Sequence, residues 1–188
     1  MQEKRKYLTA TWYDPRLEIR SSSIQGNGMF ATRAIQAGET VAINGGTVLS
    51  DAEFQNNIAN LTRYNAIQVG EDAHLIEPYS TPEELVGGMN HSCDSNVWMS
   101  DEVSLVARRV IAVGEEVTVD YALFTVTPHW VLEQPCRCGS PLCRQTVSGN
   151  DWQREDVQER YRDHFSPFIN ERIRMSKMSD QGPIMLEN

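Results

Sequence analysis

No run of apolar residues in this 188-residue chain approaches the roughly 18 needed to cross a bilayer as a helix. The basic start, MQEKRKY, has no apolar stretch behind it of the kind that directs secretion. An intracellular protein, cytoplasmic or nuclear and without a membrane partner, is therefore expected. Positive charge is also short: 17 Lys and Arg stand against 26 Asp and Glu, a formal net charge of −9. Such a surface repels a phosphate backbone, so direct nucleic-acid binding is not expected and a basic partner or substrate suits it better. Internal repeats and low-complexity tracts are absent as well. Cysteine is scarce: there are four, of which Cys136, Cys138 and Cys143 lie together and Cys93 stands far upstream.

What is present is an ordinary globular composition, 40% hydrophobic and 23% charged, in a chain long enough for one domain with a real core. Short apolar alternations predict strands at 17–20, 29–35, 40–43, 66–69, 74–77, 103–111 and 116–121, separated by turn signals such as Gly26-Asn27-Gly28 and Gly45-Gly46. Two short helices interrupt them. Ser50-Asp51-Ala52-Glu53 fits a capping box, and so does Thr81-Pro82-Glu83-Glu84, whose helix should stop at Gly87-Gly88 and leave Asn90 and His91 in an irregular segment. Trp152, Val157, Tyr161, Phe165 and Ile169 keep close to helical spacing between Asp151 and Arg174, with Pro167 breaking or kinking the run. The last residues, SDQGPIMLEN, read as frayed. The chain divides into an N-terminal extension (1–16), a main domain (17–125), a cysteine loop (126–149) and a C-terminal helix and tail (150–188).

Three cysteines in the pattern C-x-C-x4-C, in an intracellular protein, are better explained by a metal than by disulfides. Three thiolates leave a tetrahedral zinc one ligand short. Cys93 is the only cysteine left to complete the set, giving one structural zinc held by Cys93, Cys136, Cys138 and Cys143. The alternative is a small buried Cys93 beside an accidental loop.

Asn90-His91-Ser92-Cys93 followed by Asn96, then Gly114-Glu115-Glu116-Val117-Thr118-Val119-Asp120-Tyr121, then C-x-C-x4-C, resembles the SET-domain protein lysine methyltransferases with a post-SET zinc loop. The upstream Gly26-Asn27-Gly28-Met29-Phe30-Ala31 is similar to that family's G-x-G start, although taken alone it is most simply a hairpin turn. The resemblance covers residues 17 to 145. It implies a mainly β fold of the SET type, a β-clip of small curved sheets with short helices, a knot-like C-terminal segment, the zinc loop and a C-terminal helix. It further implies S-adenosylmethionine and a substrate lysine entering from opposite faces and joined by a narrow channel.

By the same resemblance Gly26, Asn27, Gly28 and Met29 approach the methionine part of the cofactor. Asn90 and His91 hold its amino-acid and adenine ends, His91 through backbone and ring, and Leu142 lines the adenine side. Tyr121 is the catalytic tyrosine, aligning the lysine amine by its hydroxyl. Val119 and Tyr64 belong to the substrate channel, with core packing the plain alternative for Tyr64. His74, His129 and His164 are read as structural. The sequence departs from the family at Ser95, where proline is common, and at Gly87-Gly88-Met89, where histone-directed members commonly carry an Ala-Arg-Phe type of run. No pre-SET cysteine cluster is possible, since the cysteines are exhausted. The expected activity is methylation of a lysine ε-amine, most simply in a protein. Methylation of a free amino acid or small amine, and a silent SET fold that only binds a protein, are the alternatives.

Overall fold

The computed structural model describes residues 7–58, 64–78 and 88–180. Three small sheets make up the body. One has the order β1 (Trp12–Tyr13), β4 (Thr40–Ile43), β10 (Ser104–Ala107), β9 (Val97–Met99). A second runs β2 (Leu17–Ser21), β3 (Asn27–Ala31), β11 (Glu116–Val119), β8 (Asn90–His91), and a third runs β5 (Thr47–Leu49), β7 (Ala73–Pro78), β6 (Tyr64–Gly70). All the pairings are antiparallel except β8 with β11, where Asn90 faces Thr118 and His91 faces Val119. Among the described residues no helix is long and apolar enough to cross a membrane.

The predicted strands at 17–20, 40–43, 66–69 and 74–77 form, each within a residue or two of its expected bounds. Others are cut short for local reasons. β3 stops at Ala31, whose N–H bonds the Glu115 carbonyl, and Ile35 returns only as an isolated bridge to Ile111. β10 ends at Ala107 after a register shift between Leu105 and Val106. β11 ends at Val119 because the Asp120 side chain accepts from the Ala122 N–H at 3.1 Å, which starts a 3-10 turn over Tyr121–Leu123. Tyr121 therefore opens a turn rather than closing a strand. Asn90 and His91 are likewise a strand and not an irregular segment.

The first capping box is present: the Ser50 and Glu53 side chains exchange hydrogen bonds at the start of helix α1 (Asp51–Ile58). The second, at Thr81 to Glu84, lies outside the described residues. Pro167 does more than kink the C-terminal run. It stands first in helix α3 (Pro167–Asp180), where its missing N–H costs nothing, while α2 (Glu155–Arg160) is a separate short helix before it. Residues 12–13, within the segment 1–16, supply the edge strand β1 against β4.

The core lies where the sheets meet. Met29, Ile35, Val41, Val97, Met99, Ile111 and Val117 are buried there, and Val157, Tyr161, Phe165 and Ile169 close one side of it. Each such side chain contributes about 1.5–3 kcal/mol by leaving water. Tyr161 also anchors the loop that follows β8: its oxygen accepts from the Ser95 N–H at 3.1 Å and donates to the Cys93 carbonyl at 3.4 Å.

Tyr161→Phe keeps the packing but leaves the buried Ser95 N–H without an acceptor. A loss of about 1–3 kcal/mol is expected in urea denaturation, with an unchanged slope. An unmoved midpoint would show that the loop does not depend on this hydroxyl.

Candidate active site and thiol cluster

Two cavities meet at Tyr121. The larger, about 820 Å³, is lined among others by Tyr64, Val119, Phe124, Trp130 and Glu133. The smaller, about 310 Å³, is lined by Ile24, Gly26, His91, Cys136 and Arg137 among others. Gln25, Tyr121, Leu132 and Gln134 line both and form the partition between them.

Parallel pairing of β8 with β11 is what brings Asn90, His91 and Tyr121 to one place. The Asn90 amide donates to the carbonyls of Gln25 and Asn27, each at 3.1 Å, and to Glu116 Oε1 at 2.7 Å. Glu116 is fixed on its other side by the Ser22 hydroxyl. This explains the G-x-G glycines in part. Gly26 sits at φ +50°, in the left-handed region, and a β-carbon on Gly28 would fall 2.1 Å from Glu116 Oε1. The space at Gly28 is thus taken by a carboxylate of the chain itself. Asn96 pins the same strand from the far side, accepting from the Thr118 N–H at 2.9 Å and donating to the Glu116 carbonyl at 2.8 Å.

His91 is buried, and both ring nitrogens are committed inside the protein. Nδ1 accepts from the Tyr121 N–H at 3.2 Å, which places the ring proton on Nε2, 3.3 Å from Cys93 Sγ. Burial pushes the ring down to about 4 against the opposing pull of the Asp120 carboxylate, in keeping with a neutral ring. The Tyr121 hydroxyl donates to the Met89 carbonyl at 3.2 Å, and burial, with some help from Cys136, pushes it up to about 12. It is a phenol, not a phenolate, at neutral pH. Its ring lies against His91, Phe124 and Trp130 at centroid distances of 5.1, 6.0 and 6.0 Å.

The sulfur atoms of Cys93, Cys136, Cys138 and Cys143 all lie within 4.8 Å of one another, with Cys93 and Cys136 at 4.0 Å. Tetrahedral zinc with bonds of about 2.3 Å separates its sulfurs by about 3.8 Å, so this donor set fits such an ion closely. Sequence reasoning missed the residue that seats the loop. Arg144 donates its backbone N–H to Cys93 Sγ at 3.3 Å, and its guanidinium makes a two-pronged pair with the fully buried Asp120, both contacts at 2.7 Å. Arg144 Nε also lies 2.7 Å from Asp151 Oδ2, an ion contact out of hydrogen-bond alignment. The signal available was only its place beside Cys143.

Of the residues expected at the site, Gly26 and His91 line the smaller cavity, Tyr64 and Val119 the larger, and Tyr121 both. Asn27 and Asn90 buttress the smaller cavity's wall through the amide bonds above. Met29 is buried in the core and Leu142 is 47% exposed, and neither is among the residues lining these two cavities. His164 stacks on Trp98 at 3.5 Å, whereas His74 and His129 line the larger cavity. Gln25, Leu132, Gln134 and Trp130 were not anticipated.

A fold of small β-sheets with two cavities joined at a half-buried tyrosine agrees with what the sequence resemblance to SET domains implies. The SET-domain family model matches residues 26–122, just over half the chain, and the protein belongs to that family. Among curated relatives, the histone-lysine N-methyltransferase ATX2 of Arabidopsis thaliana is 28% identical over 182 residues, covering 84% of this chain and 15% of that protein. An H3 lysine-36 specific histone-lysine N-methyltransferase of Eremothecium gossypii is 29% identical over 139 residues, covering 66% of this chain and 19% of that one. The chain thus spans less than a fifth of the length of these relatives. Among solved structures, the methyltransferase domain of human histone-lysine N-methyltransferase SETMAR matches with a TM-score of 0.52 at 20% identity, over 72% of this chain and 58% of that one, a likeness of fold.

One zinc per chain is expected after dialysis against metal-free buffer, and Cys93→Ala is expected to lose it or hold it far more weakly. Metal analysis of both proteins decides the point. A full equivalent retained by the variant removes Cys93 from the ligand set.

Proposed function

We propose that the protein transfers a methyl group from S-adenosylmethionine to the ε-amine of a lysine in a protein substrate. The observation that carries this reading is the meeting of two cavities at Tyr121, one for each reactant. The names of the relatives support a protein substrate and an intracellular setting, cytoplasmic or nuclear. Residues 17–125 are assigned to the SET domain, 126–149 to the loop that would hold zinc, and 150–188 to a C-terminal helix and tail, of which Asp151, Arg160 and Tyr161 brace the site.

S-adenosylmethionine, held in the smaller cavity beside Gly26 and His91, would supply an electrophilic methyl group on a sulfonium, with a neutral thioether as its leaving group. The chain's own residues prepare the amine. Lysine has a reference pKa of about 10.4, and only its neutral form has a lone pair to give. Tyr121, Phe124, Trp130 and Val119 surround the meeting point with aromatic and aliphatic surface, which disfavours the ammonium. The Tyr121 hydroxyl and the Met89 carbonyl offer one donor or acceptor each to orient the nitrogen. The phenol keeps its proton at neutral pH, so it positions the amine and does not deprotonate it; the proton leaves through water. Catalysis on this account is orientation and electrostatics. The four thiols hold the wall of the smaller cavity, since Cys136 both lines it and belongs to the cluster.

Incubation with methyl-labelled cofactor and a cell lysate should place label on protein lysines; label confined to small molecules would overturn the choice of substrate. Tyr121→Phe should bind cofactor nearly normally and turn over roughly a hundred- to a thousandfold more slowly, the usual cost of losing an orienting donor. Wild-type turnover in that variant would remove Tyr121 from the reaction. Asn90→Ala should instead fail first in cofactor affinity, read by calorimetry, because its amide ties Gln25 and Asn27 to Glu116.

Product degree follows from Val119, which lines the larger cavity two residues before Tyr121. Valine has no hydroxyl to hold the amine or a water against a second or third methyl. A di- or trimethylated lysine is expected by mass spectrometry at long reaction times. A strict halt at monomethyl-lysine would show that another hydroxyl, such as that of Tyr64, fills the role.

A further inference from the structure

Among the described residues, the larger cavity is lined by one formally charged side chain, Glu133, and by no lysine or arginine. Glu133 is exposed, and among the described residues no ion pair engages its carboxylate. It stands in the short segment that carries Trp130, Leu132 and Gln134, the side chains that pack against Tyr121 or divide the two cavities. A lone carboxylate on the wall of a substrate cavity, in a chain whose net charge is −9, asks for a cation from the ligand.

We infer that Glu133 selects protein substrates in which a basic side chain, arginine or lysine, stands close in sequence to the target lysine. The inference rests on reading the larger cavity as the substrate side. The target amine itself is the wrong counterpart, because a carboxylate beside it would hold it as ammonium and oppose attack. Glu133 also acts on Tyr64, which lines the same cavity. Burial raises the Tyr64 hydroxyl and the Glu133 charge raises it further, whereas the hydroxyl of Tyr121 is governed by burial and Cys136. Tyr64 is itself 37% exposed, so this part of the cavity is open to a peptide. A residue beside the target lysine in an extended peptide is what reaches such a position. A free amino acid or small amine would leave Glu133 with nothing to bind.

The test uses the full chain saturated with S-adenosylhomocysteine and fluorescent peptides of glycine and serine with a central lysine. Each carries arginine, alanine or glutamate at one neighbouring position, scanned on both sides. Binding is followed by anisotropy. At one or more positions arginine should bind roughly two- to fivefold more tightly than alanine, the range of a solvent-accessible ion pair, and glutamate more weakly. The preference should shrink as salt is raised, vanish in Glu133→Gln and reverse in Glu133→Arg. Charge-blind binding by the wild type, absence of binding, or an unchanged preference in Glu133→Gln would each overturn it. Methyl transfer to the same peptides is measured in parallel. Charge-selective binding without transfer would refute the proposed activity while leaving the role of Glu133 standing, so the two failures are distinguishable.

Discussion

Asp120 has no exposure to water, and a carboxylate so placed must be neutralised by the fold around it. Arg144 does this with two hydrogen bonds, and much else is arranged as a result. The carboxylate also caps the 3-10 turn that presents Tyr121, while the arginine stands one residue after Cys143 and touches Asp151 at the entry to the C-terminal helices. Three stretches distant in sequence are thereby held at one point. The gain is placement rather than net stability. A buried ion pair is often no better than an apolar pair of equal volume, whereas removing one partner costs about 3–5 kcal/mol. Burial opposes the arginine's charge, but Asp120 more than restores it, so the guanidinium stays charged.

The Asn90 and Glu116 pair obeys the same rule in a milder form. A buried amide and a carboxylate share hydrogen bonds over a glycine that leaves them room, so the loop that walls the smaller cavity at Ile24 to Gly26 is tied down by satisfied polar groups. His91 links this wall to the thiol cluster, with the Tyr121 amide at one ring nitrogen and Cys93 at the other. The tyrosine, the cysteines and the cavity wall therefore form one mechanical unit.

Much of this was legible in the sequence. Alternating apolar residues gave β2, β3, β4, β6, β7, β10 and β11, and four cysteines with no other partner gave the cluster, because soft ligands in that number admit few arrangements. β8 escaped because its two residues are polar: Asn90 and His91 are buried by tertiary hydrogen bonds, and no periodicity announces that. The turn at Tyr121 escaped for a related reason, since Asp120 in a strand-like run shows its capping role only once the backbone is seen to bend. Arg144 carried no pattern, its partners being set by the fold. The resemblance to the family supplied what patterns could not, the expectation of a two-sided site.

The bonds from Tyr161 and Arg160 to the carbonyl of Cys93 join residues that are synthesised well apart in time. Chains grow at about 5–20 residues per second, so the loop after β8 waits several seconds for its braces to be made. Contacts of such sequence separation also form late in folding, after the local hairpins. The thiols then remain reduced, unbraced and open to stray metals or oxidants until nearly the whole described chain has emerged. The protein's vulnerable age is therefore its first few seconds, while it is still being made.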